Sequence, residues 1–164
     1  MALRKIVLEG DEILKKKARD VAEINERILT LLDDMWETLE ENNGVGLAAP
    51  QVGVLRRVAV IDTGKDEESD DVRIELINPR IVESDGEAEA DEACLSIPGM
   101  VGAVTRPARV KAEALNRNGE TFTIEGEGLL AKALCHEIDH LDGILFVDRA
   151  SSVRSMDDDD EEEE

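Results

Sequence analysis

No apolar run in this 164-residue chain approaches the ~18 residues needed to cross a bilayer, and no cationic-then-apolar leader opens it. Cysteine is scarce: there are only two, Cys94 and Cys135. Together these absences predict a soluble cytoplasmic protein whose cysteines are thiols or ligands and not a disulfide bridge. Positive charge is also short, with 19 Lys and Arg against 40 Asp and Glu, for a formal net charge of −21. Residues 157–164 are all acidic, and without them the charge is still −13. Such a surface repels phosphate backbones and anionic membranes, so neither direct nucleic-acid binding nor membrane association is expected. No internal repeat is present, and the length suits one compact domain. That domain is placed at residues 1–150, and residues 151–164, with little to bury and much charge to repel, are expected to be disordered.

Ile24, Ile28, Leu31, Leu32, Met35, Trp36 and Leu39 recur at the three-and-four spacing of an amphipathic helix over residues 24–43. Asn25 can cap its start, and Asn43 with Gly44 supplies a left-handed stop. Residues 44–53, GVGLAAPQVG, hold too many glycines and a proline for a regular element. Val58, Val60 and Ile61 read as a strand, residues 64–71 as a charged loop, and residues 72–82 as a strand interrupted at Asn78 and Pro79. Within residues 108–125, Asn118 and Gly119 separate two strand-like runs and predict a hairpin. A second helix, roughly residues 128–141, has Leu129, Leu130, Ala133, Leu134, Ile138 and Leu141 to bury and ends before Gly143. Strands collected first and a helix packed on them afterwards predict an α+β fold. Short antiparallel sheets would surround the C-terminal helix, with the amphipathic helix at the N-terminal side.

The chain's only two histidines, His136 and His140, lie on that second helix in the pattern HExxH. Residues four apart share one helix face, so both imidazoles can converge on one ion while Glu137 projects about 100° round, beside it. In such a site two neutral nitrogens bind a divalent metal, the metal acidifies a water, and the adjacent carboxylate takes the proton. A bare HExxH also fits two ordinary surface histidines on an amphipathic helix. A catalytic site needs a third protein ligand and one open position. A third histidine at the next metzincin-like position is ruled out, because Phe146 stands there, and only 24 residues follow His140. The third ligand is therefore sought upstream, where Cys94 in DEACLSIPG offers a thiolate suited to a borderline or soft ion. Taken alone, Cys94 would read as a small buried thiol. Cys135 points about 100° away from His136 on the helix and reads as packing.

Three segments, GVGLAAPQ at residues 44–51, EACLS at 92–96 and HEIDHLDG at 136–143, resemble in this order the signature motifs of the peptide deformylases. The resemblance runs from the opening residues to about Asp148. It implies a metal-dependent hydrolase that removes the formyl group from the N-terminal formylmethionine of newly made proteins, releasing formate. By motif position Cys94, His136 and His140 would ligate the metal, typically ferrous iron (Fe2+), with Ni2+, Co2+ or Zn2+ able to substitute. Glu137 would act as general base and then acid. The Gln51 amide and the Leu95 backbone N–H would stabilise the oxyanion. Gly46 in the small-residue loop and Ala93 in the second motif would border an extended substrate strand. Val45, Leu129 and Ala133 would line the methionine pocket, although Leu129 and Ala133 could equally be core. Glu92 and Arg106 could pair to hold the Cys94 loop, and Asp139 and Asp142 could orient the histidines or face water. Two positions depart from the family pattern, Ala93 where glycine is common and Cys135 where glutamine is frequent. N-formylmethionyl nascent peptides are the partners implied, while the acidic C-terminus makes ribosome docking by that route doubtful. Two other functions share these residues: hydrolysis of a different N-acyl group, and metal binding without catalysis.

Overall fold

Asn25 accepts a hydrogen bond from the Ile28 N–H at 3.2 Å and starts helix α1, Glu26–Glu41, as its position before the apolar stripe predicts. The helix stops where Asn43 turns left-handed at φ 53°. A computed structural model describes residues 2–64 and 71–156. Among these residues the strands are β1 (Gly46–Ala48), β2 (Val58–Asp62), β3 (Arg73–Asp85), β4 (Ala88–Cys94), β5 (Ile97–Arg106), β6 (Arg109–Leu115), β7 (Thr121–Glu127) and β8 (Ser152–Ser155). Helices α2 (Gly128–Leu141) and α3 (Phe146–Arg149) lie between β7 and β8. No helix among the described residues is long and apolar enough to cross a membrane.

The strands form two antiparallel sheets, one ordered β1-β2-β3-β6-β7 and one ordered β4-β5-β8. The fold is thus α+β, as expected. Strand β2 explains the layering, because side chains on a strand alternate between faces. Val58 and Val60 pack with Leu31, Leu32, Met35 and Leu39 of α1. Ala59 and Ile61 pack with Leu134, Ile138 and Leu141 of α2. A strand covered on both faces reads as a continuous apolar run, and VAVI is one. A third cluster, Leu14, Ile97, Val104, Leu145 and Phe146, seats the smaller sheet and α3.

Several expectations are corrected. The segment GVGLAAPQVG is not free of regular structure: it holds β1 and a single 3-10 turn, Ala49–Val52. The interruption expected at Asn78 and Pro79 is present, as a bulge within a continuous β3, where Asn78 adopts φ 52° and its amide pairs with both backbone groups of Val21. The hairpin loop has three residues and not two, because Asn116 and Glu120 still bond across it, with Gly119 left-handed at φ 80°. The segment around Cys94, for which no element was expected, is a tight hairpin, with Cys94 opposite Ile97. The proposed disordered tail begins too early: Ser152–Ser155 pair with Met100–Ala103 of β5 as strand β8. Backbone ladders need no apolar side chain, so this edge strand left no hydrophobic pattern to read. Residues 157–164 and most of the predicted 64–71 loop lie outside the described residues.

Candidate active site

Helix α2 presents His136 and His140 with their Nε2 atoms 3.2 Å apart, and Cys94 Sγ lies 3.3 Å from His140 Nε2. The three ligand atoms all fall within 4.8 Å of one another, and this is the group among the described residues that could hold a metal ion. The tight turn after β4 delivers the sulfur; the i, i+4 spacing on α2 delivers both nitrogens. His136 Nδ1 lies 2.9 Å from Glu92 Oε1, and Arg106 grips Glu92 through two 2.9 Å hydrogen bonds. A carboxylate can only accept, so Nδ1 carries the proton and the Nε2 lone pair is the one turned inward. Phe146 stacks on the His136 ring at 6.3 Å between centroids.

The electrostatics agree with a site built for a cation. Burial alone would lower the His136 pKa, but the Glu137 carboxylate and the hydrogen bonds to Cys94 and Glu92 hold it up at about 10. In the metal-free protein a proton on that imidazole answers the surrounding negative charge, and a divalent ion would take its place. Burial, then the neighbouring His136, push His140 well below the ordinary histidine range and keep it neutral, the form that ligates. Burial also penalises the Glu92 carboxylate, yet Arg106 and His136 overcome this and lower it to about 2. The donor set of one sulfur and two imidazole nitrogens with a carboxylate beside them therefore fits a divalent transition metal.

Glu137 is buried, with Oε1 lacking any hydrogen-bond partner among the described residues. Burial raises its pKa to about 7, where it can both accept and return a proton near neutrality. Gly46 explains its position: a Cβ there would sit 2.5 Å from Glu137 Oε2. The small residue in the loop thus clears room for the carboxylate, a purpose beyond the substrate approach expected from sequence. Gln51 is buried, and its orientation is fixed at both ends. Its Oε1 accepts from the Ala48 N–H at 2.9 Å, and its Nε2 donates to Cys94 Sγ at 3.3 Å and Ser96 Oγ at 3.1 Å.

These groups stand at the wall of a cavity of about 590 Å³, which is also lined by Val45, Gly46, Ala93, Leu95, Leu129 and Ala133. Every site residue expected from sequence therefore reaches one place, except His140, which sits behind His136 among the ligands. Ala133 belongs to the core cluster as well, whereas Leu129 does not. Ala93 is exposed on β4 with no positive φ, so its methyl group is accommodated. Asp139 and Asp142 do not touch either histidine; Asp139 bonds Arg106 and Arg149, and Asp142 bonds Arg57. Sequence reasoning missed Ser96, the stacking of Phe146, and Lys132 and Met156 on the cavity wall. Ser96 follows Cys94 closely enough to have been suspected, but Met156 enters only through β8, which has no signal in the sequence.

The pattern of a family described as polypeptide deformylase matches residues 3–156. A peptide deformylase of Acetivibrio thermocellus is 61% identical over 162 residues, covering 99% of this chain and 91% of the relative. One from Thermoanaerobacter pseudethanolicus is 54% identical over 163 residues, covering 99% and 98%. The crystal structure of a peptide deformylase from Legionella pneumophila superposes with a TM-score of 0.85 at 48% identity, covering 91% of this chain and 86% of that one. The Ehrlichia chaffeensis enzyme in complex with actinonin gives a TM-score of 0.87 at 36% identity, covering 93% and 91%.

Proposed function

Because this chain belongs to the polypeptide deformylase family and is a hydrolase of that kind, we propose that it cleaves the formyl group from the N-terminal formylmethionine of newly synthesised proteins, releasing formate. The observation that carries this reading is the convergence of Cys94, His136 and His140 beside a buried Glu137, whose Oε1 has no hydrogen-bond partner among the described residues, at the wall of a cavity. Cys94, His136 and His140 would hold the metal, ferrous iron by resemblance, with nickel, cobalt or zinc as substitutes. When bound, the ion supplies a Lewis acid that lowers the pKa of water.

The chain's own residues supply the rest. Glu137 takes the proton of the attacking water at its free Oε1 and returns it to the departing amine. The Gln51 Nε2–H, aimed toward Cys94, donates to the developing oxyanion together with the Leu95 N–H. Glu92, clamped by Arg106, keeps the His136 tautomer fixed throughout. Val45, Leu129 and Ala133 provide apolar wall for the methionine side chain, while Gly46 and Ala93 border the path of the extended peptide. Actinonin, present in the Ehrlichia chaffeensis complex, is expected to compete for this cavity.

The test is a formate assay on anaerobically purified protein with its metal content measured. Formyl-Met peptides should release formate, and acetyl-Met peptides should be poor substrates. Glu137→Gln should lower kcat by about 10²–10⁴-fold while metal content is retained, because Glu137 is not a ligand. Unchanged turnover in that variant would refute the role of Glu137; equal cleavage of the acetyl peptide would favour a broader N-acyl hydrolase.

A further inference from the structure

A second cavity, of about 630 Å³, opens between the N-terminal segment, the first turns of α1 and the loop before β2. Its floor is apolar, with Ile28 and Leu31 buried and Val54 partly so. Its walls carry Arg4, Arg19, Arg27 and Arg56 against a single acid, Glu26.

The charge pairing of the molecule makes this cluster unusual. The chain has twelve arginines among 40 acidic residues, so a guanidinium readily finds a carboxylate. Nine of the arginines do, including Arg4, which binds Asp34. Among the described residues the three arginines without a side-chain partner are Arg19, Arg27 and Arg56, and all three line this one cavity. Their backbones are also fixed. The Arg19 N–H donates to Leu55 O at 3.1 Å, the Arg57 N–H donates to Arg19 O at 2.9 Å, and Arg19 and Arg56 form a β-bridge. Arg27 stands in the first turn of α1, where a cation opposes the helix dipole and helix stability favours an acid. A local rule broken without local compensation is a mark of function.

We propose that this cavity binds a small organic polyanion, an apolar body bearing at least two phosphate or carboxylate groups, at a site separate from the catalytic cavity. Planar guanidinium groups bind such oxygens in bidentate fashion, and three uncommitted ones around an apolar floor match two anionic groups on one small skeleton. The overall charge of −21 does not oppose this, because the cavity is lined almost wholly by one sign and the field there is local.

The experiment follows the side-chain Nε–Hε resonances of Arg19, Arg27 and Arg56 in full-length, metal-loaded protein at low ionic strength. Pyrophosphate is titrated in one arm and glutarate in the other. We expect all three signals to shift with one saturating isotherm in at least one arm, and the responding arm identifies the source of the oxygens. The double variant Arg19→Gln/Arg56→Gln should weaken that binding by about tenfold or more, as loss of charged hydrogen bonds demands. Arg109→Gln, which removes an arginine already paired with Asp85, should leave it unchanged. Because neither residue touches the catalytic cavity, deformylation by the double variant should equal that of the parent. Absence of saturable shifts in both arms overturns the proposal, as does binding that survives the double substitution.

Discussion

Gly46 shows how closely the candidate base depends on a residue that itself has no chemistry. A methyl group there would lie 2.5 Å from Glu137 Oε2, and the carboxylate, buried and short, would have to turn. Gly46→Ala is expected to lower kcat/KM on the order of 10²-fold, since displacement of a catalytic group by about 1 Å has that effect. Its φ is not in the left-handed region, so thermal unfolding should change little; full activity in this variant would show that Glu137 need not hold its observed position. The pKa of Glu137 gives a second residue-scale prediction. The carboxylate must be ionised to take a proton, so activity falls as pH drops through its pKa, held at about 7 by burial. A cation beside it favours the ionised form, so the acidic limb of kcat/KM in the metal-loaded enzyme should lie at or below about 7. A limb well above that value would contradict the assignment.

At the scale of elements, the hairpin of β4 and β5 is tied to α2 by Glu92 and Arg106, both buried, and by the partly buried Asp139. Removing one partner from such a network leaves charge buried without compensation, which costs about 3–5 kcal/mol. Arg106→Ala should therefore destabilise the fold by that order and weaken metal retention, because Glu92 no longer holds His136 in one tautomer. Chemical denaturation and metal analysis read the two effects separately. The same carboxylate shapes acid stability. Its folded pKa, about 2, lies below the usual 4.5, so its contribution is complete above about 4.5 and is lost as pH falls from there to about 2. The parent protein should lose stability across that window. The Arg106→Ala variant, having already lost the partner that depresses Glu92, should lose less there; an equal slope in both would remove Glu92 as the cause.

Across the whole molecule, what could be read from the sequence follows what is encoded locally. The stripe and cap of α1, the HExxH pair on α2 and the place of the hairpin between β6 and β7, though not its loop length, are set by neighbours within a few residues, and the structure has them. The pairing of β4, β5 and β8 is not local. Strand β4 exposes most of its residues and shows no apolar alternation, and β8 joins only because β5 offers an edge some fifty positions earlier in the chain. Hence Cys94 could be expected as a ligand while the turn that delivers it could not. The Glu92 and Arg106 pair, expected to hold the Cys94 loop, forms and is buried, and its contact with His136 is what the sequence did not show. The claim on which all of this depends is that one sulfur and two imidazole nitrogens of this chain share a single ion. X-ray absorption at the metal edge of the zinc-loaded protein tests it most directly: the expected first shell is one sulfur and two imidazole nitrogens, with the remaining coordination from a light solvent atom. A first shell without sulfur, or one completed by a fourth protein ligand, would contradict it.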